Sequence, residues 1–90
     1  MTKRPLKFMP YAQATVIISG KNDITLRSYK TDVIIISNGW MSCTGTYSQT
    51  TRHHISAFMK EYYLGDYFLA KFLYQEKVKM NIHTGEVLPI

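Results

Sequence analysis

The sequence predicts an α+β fold: an antiparallel β-meander of about four strands packed against one helix or a helical hairpin, with a C-terminal strand as an addition. Three observations predict it. Between residues 13 and 46 the chain is β-branched and punctuated by turn residues. Asn38-Gly39 sits between two apolar segments and tolerates the positive φ angles of a tight hairpin. From Ile55 the period changes, and Ile55, Phe58, Met59 and Tyr62 fall at i, i+3, i+4 and i+7, the stripe of an amphipathic helix.

The elements follow in order. Residues 1–10 hold two prolines and three basic residues, and they read as a flexible basic arm ahead of the one domain formed by residues 1–90. The first strand is Gln13 to Ser19, closed by the turn residues Gly20-Lys21-Asn22-Asp23. Ile24 to Tyr29 then alternates, with Ile24, Leu26 and Ser28 on one side and Thr25, Arg27 and Tyr29 on the other. After Lys30-Thr31-Asp32, the run Val33 to Ile36 reads as a central strand covered on both faces. Trp40 to Thr46 returns from the Asn38-Gly39 turn.

A helix is expected from about Thr51 to Tyr63, capped by Thr50 or Thr51 and stopped near Gly65. Asp66 is a good cap for a second helix showing Phe68, Leu69, Phe72 and Leu73 on one face, with Lys71 and Gln75 opposite. One bent helix through residues 51–76 is the alternative. Val78, Met80 and Ile82 alternate with polar residues as a strand does, and Glu86 to Ile90 forms a last strand or a tail.

Composition bounds the function. Ninety residues make one domain, and 46% hydrophobic residues suffice for a packed core. The single cysteine, Cys43, can form no internal disulfide and suits a reducing compartment. No apolar segment follows the basic N-terminus, and the run Val33 to Ile36 is far too short to span a bilayer. A cytoplasmic protein without membrane contact is therefore expected. The net charge of +5 favours a partner with a negative surface.

No nucleophile elbow, phosphate-binding glycine loop or paired-carboxylate motif is present. His53, His54 and Cys43 lack a fourth metal ligand. The expectation is a protein that is not an enzyme and uses no cofactor or metal. The binding candidates are Ser48, Thr50, Thr51, Arg52 and His53 at the helix start, where free N–H groups favour anions, together with Lys60, Tyr63 and Lys71 along the helical segment. Tyrosines with lysines between them are also what single-stranded nucleic acids stack upon.

Ser28-Tyr29-x-Thr31, a hairpin through Asn38-Gly39, and Tyr47-Ser48-x-Thr50-Thr51-x-His53-x-Ile55-x-x-Phe58 resemble small proteins encoded by bacteriophages and prophages. Their pattern runs S-Y-x-T, an aliphatic strand, N-G or D-G, then Y-S-x-T-T-x-x-H-I. The resemblance covers roughly Ile24 to Tyr63, and Trp40-Met41-Ser42-Cys43 departs from it where aliphatic residues are expected. It carries over no catalytic residue. It implies a phage accessory protein that binds stoichiometrically to a host or defence protein, such as a CRISPR effector, as an inhibitor. The basic charge argues against mimicry of DNA, and binding of DNA or RNA is the alternative.

Overall fold

The computed structural model describes residues 1–45 and 47–90, and it corrects the four-strand expectation. Seven strands form one antiparallel sheet in sequential order: β1 (Thr2–Arg4), β2 (Ala14–Gly20), β3 (Asp23–Ser28), β4 (Thr31–Ser37), β5 (Trp40–Cys43), β6 (Val78–Asn81) and β7 (Val87–Pro89). Two helices, α1 (Gln49–Glu61) and α2 (Tyr67–Gln75), lie between β5 and β6 in the chain and cover one face of the sheet. The segment from 51 to 76 is thus two helices. Thr46, the last residue of the predicted return strand, lies outside the described residues.

The sheet grows by neighbours because its turns are short. Asn38 and Gly39 have φ angles of 53° and 83°, the two positive values that a type I′ hairpin needs. Strand alternation then sorts the side chains. Ile24, Ile36, Met41 and Met80 are cross-strand partners on the helix-facing side, as are Val16, Leu26, Ile34 and Cys43. Ile55, Phe58 and Met59 of α1, with Tyr67, Ala70 and Leu73 of α2, close over these rows to form the core. The run Val33 to Ile36 is central, but helices cover only one of its faces. A register shift after Leu26 leaves Val33 as an extra residue, and this bulge buries Val33 beside Ile34 while Ile35 stays half-exposed on the uncovered side.

The basic arm is also corrected. Thr2, Lys3 and Arg4 pair with Ile18, Ile17 and Val16, and Leu6 is fully buried in the core. Arg4 reaches across to Glu61 at 2.6 Å, and the Lys7 backbone N–H donates to the other Glu61 oxygen at 2.7 Å. The Glu61 side chain is only 1% exposed, so these contacts offset a desolvation that would otherwise be costly.

Helix α1 stops before Gly65. Leu64 N–H donates to Met59 and Tyr63 N–H to Lys60, the paired bonds of a Schellman end, with Tyr63 in the left-handed region at φ 56°. Asp66 caps α2 by accepting from Phe68 N–H at 2.9 Å. The face expected to be buried on α2 is shifted: Tyr67, Ala70 and Leu73 point inward, whereas Phe68 and Phe72 face solvent.

Candidate functional site

The resemblance pattern is split between the β3–β4 turn and the start of α1, and the fold brings the two halves together. Ser28 ends β3 on the buried side of its alternation. Thr51 and His54, three residues apart on one face of α1, point down onto it. Ser28 Oγ lies 3.1 Å from Thr51 Oγ1 and 2.8 Å from His54 Nδ1, and all three residues are buried. Donation can run either way along the chain: Thr51 to Ser28 to His54 Nδ1 with the imidazole proton on Nε2, or His54 Nδ1–H to Ser28 to Thr51. Burial first, and then the electrostatic effect of His53, lowers the His54 pKa and disfavours the charged ring.

The hydroxyl and the imidazole are close enough for general-base chemistry, but Ser28 and His54 are each only 2% exposed. No substrate atom reaches Ser28 Oγ without opening the interface between helix and sheet. The cluster therefore ties α1 to β3 across the core.

What it holds at the surface is Tyr29. Ser28 pairs with Thr31, so Tyr29 and Lys30 form a two-residue turn. Tyr29 occupies its first position at φ 55°, where hairpins ordinarily use glycine or asparagine. A left-handed tyrosine costs about 1–2 kcal/mol. The ring packs on His54 with centroids 5.8 Å apart, its backbone N–H donates to Gln13, and 57% of the residue remains exposed. Turn chemistry does not call for tyrosine here. The result is an exposed aromatic in one fixed place.

The predicted binding residues scatter around this point. Ser48 is the N-cap of α1 but makes no side-chain capping bond, and Thr51 turns inward to Ser28. Thr50 and His53 are exposed, and His53 shares a solvent stripe with Lys60, whose ammonium lies 4.7 Å from the Phe8 ring centre. Arg52 folds back: its Nε donates to the Tyr47 carbonyl at 2.8 Å and its guanidinium covers the Tyr67 ring at 5.2 Å. Tyr63 is exposed at the opposite end of α1, roughly 20 Å from the first turn at 1.5 Å per residue. Lys71 is half-buried on α2.

Sequence reasoning passed over Ser28, Tyr29 and His54 as site residues. The available signal was Ser28, a polar residue at the end of an otherwise apolar inward row. Other features lie elsewhere. A groove of about 410 Å³ lined by Cys43, Leu73, Tyr74, Lys77 and Ile90 sits at the C-terminal end of α2 and includes none of these residues. Burial pushes the Cys43 thiol pKa up, and its Sγ donates to the Gly45 carbonyl, so it stands there as a neutral thiol. Among the described residues no group of three or more His, Cys, Asp or Glu is placed to hold a metal ion, and no helix is long and apolar enough to cross a membrane.

Comparisons with curated proteins and with solved structures found no match to this chain. Residues 5–79 match the model of the Family of unknown function (DUF8033), and the chain belongs to that family.

Proposed function

We propose that this chain is a non-catalytic binding protein that acts by occupying the surface of another protein. The observation that carries the reading is Tyr29, 57% exposed at φ 55° and seated on the buried Ser28–Thr51–His54 cluster. Backbone strain of this kind concentrates at functional positions, and at Tyr29 the His54 ring and the Gln13 carbonyl hold it in place. A tyrosine fixed in advance loses little conformational entropy on docking, and tyrosine is among the commonest interface hot spots. The phage-type resemblance suggests the finer reading: a stoichiometric inhibitor of a host or defence protein in the bacterial cytoplasm, a CRISPR effector being one such target.

Nucleic acid is the second reading, and the charge arrangement favours it. Among the described residues only Arg4 and Arg27 pair with carboxylates, which leaves the other nine of 11 Lys and Arg without one. Capture from bacterial lysate with and without nuclease separates the two. A protein partner retained stoichiometrically after nuclease supports the first reading. A partner that disappears with the nucleic acid overturns it in favour of the second.

A further inference from the structure

The solvent face of α2 is apolar where a surface helix is ordinarily polar. Phe68 is 72% exposed and Phe72, one turn later, is 46% exposed, while Tyr67, Ala70 and Leu73 fill the core side. Beside it the buried Tyr67 ring lies under the Arg52 guanidinium of α1 at 5.2 Å, so a cation borders the patch on that side. Contiguous exposed aromatics on a small domain mark a contact surface. Two phenylalanines at i, i+4 spacing on a convex helix match the apolar stripe that an amphipathic helix presents in such contacts.

Charge selects the occupant. Arg52 and Lys71 flank the phenylalanines, and neither has a carboxylate partner among the described residues. Glu61, near the end of α1, is held by Arg4 and the Lys7 N–H, and Asp66 is used as the α2 cap. The carboxylate left at the patch is Glu76, four residues beyond Phe72. Two cations against one carboxylate leave this face net positive, and a second copy of this chain would bring two such net-positive faces together. The surface therefore complements a foreign one.

We infer that the Phe68–Phe72 face of α2 docks an amphipathic helix of a protein partner, with acidic residues beside its apolar face, oriented with the acidic groups over Arg52 and Lys71 and away from Glu76. This rests on the protein-binding reading above and adds the contact surface and the partner's chemistry. Electrostatic complementarity of this kind sets orientation and on-rate more than raw affinity.

The test uses a fluorescein-labelled synthetic helix with leucines on one face and glutamates on the other, titrated by anisotropy. A lysine-for-glutamate version, a sequence-scrambled version and a single-stranded DNA oligonucleotide run beside it. Saturable binding of the acidic amphipath is expected below about 1 mM, the weak end of specific association. Phe68→Ser/Phe72→Ser should weaken it at least about tenfold, the loss of one hot spot or more. Lys71→Glu should weaken it and Glu76→Lys should strengthen it, with melting temperatures close to the parent for all three. No saturable binding overturns the inference, as does equal or tighter binding of the basic peptide, the scrambled peptide or the DNA, or an unaffected double serine variant. If lysate capture retains a nuclease-resistant protein with the double serine variant at parental strength, the protein-binding reading stands and the α2 face alone is refuted.

Discussion

Replacing Ser28 by alanine removes one oxygen from the centre of the molecule and strands two partners. Ser28 Oγ makes both buried hydrogen bonds of the cluster, to Thr51 at 3.1 Å and to His54 at 2.8 Å. Each such bond contributes roughly 0.5–1.5 kcal/mol net, and a buried polar group left unpaired costs about 1–3 kcal/mol. Thr51 Oγ1 and His54 Nδ1 would both lie under the helix without that partner, and small shifts recover part of the loss, so the expected destabilisation is about 2–4 kcal/mol. That is a large part of the roughly 5–15 kcal/mol by which a domain of this kind is stable. Urea denaturation should show a lowered midpoint at unchanged m, and the melting temperature should fall by at least about 8 °C, given about 4–8 °C per kcal/mol at this chain length. Adding Thr51→Val completes a double-mutant cycle, with an expected coupling of roughly 0.5–3 kcal/mol. A Ser28→Ala loss below about 0.5 kcal/mol, or strict additivity with Thr51→Val, would refute the cluster as the tie between α1 and β3.

Three more outcomes follow from the structure. Leu6→Ala should cost about 2–5 kcal/mol by denaturant titration, because Leu6 is fully buried in the core; a cost near zero would return residues 1–10 to a free arm. Stability should depend on pH through His54: its folded-state pKa lies below the ordinary 6.5, so the unfolded chain takes up the proton first. The stabilisation is complete above about 6.5 and is lost as the pH falls through that value towards the lowered folded-state pKa, and His54→Gln should flatten this limb in a melting series from pH 8 to 5. Tyr63→Gly should stabilise by about 1 kcal/mol, since Tyr63 is exposed at a left-handed helix end that glycine fills without strain; a drop in melting temperature would assign Tyr63 a packing role.

How much of this was legible in the sequence depended on how local the cause was. The Asn38-Gly39 hairpin, the Ile55–Phe58–Met59 stripe and the Asp66 cap were legible, because each is set by residues within one or two turns of chain. β1 was not, since three residues are too few to show a period, and for the same reason β7 could be read only as a strand or a tail. α2 misled for a different reason. Its residues are apolar nearly all round, so Phe68, Leu69, Phe72 and Leu73 fit one face as well as Tyr67, Ala70 and Leu73 fit another. The bulge at Val33 concealed that one face of β4 is uncovered, because two successive buried residues imitate a strand buried on both sides. The candidate site needed the fold itself. Ser28 and His54 are 26 residues apart in sequence, and only the packing of α1 on β3 makes them partners.

The most direct measurement sets Tyr29→Asn beside the parent in one melting experiment and one capture experiment after nuclease. Asparagine tolerates the left-handed region and relieves about 1–2 kcal/mol of strain, which offsets most of the packing lost from the half-buried ring, so the melting temperature should move by only a few degrees. Retention of the protein partner should fall at least about tenfold, as for an interface hot spot. Undiminished capture by a stably folded Tyr29→Asn variant would contradict the claim that the buried cluster exists to hold Tyr29 against a partner.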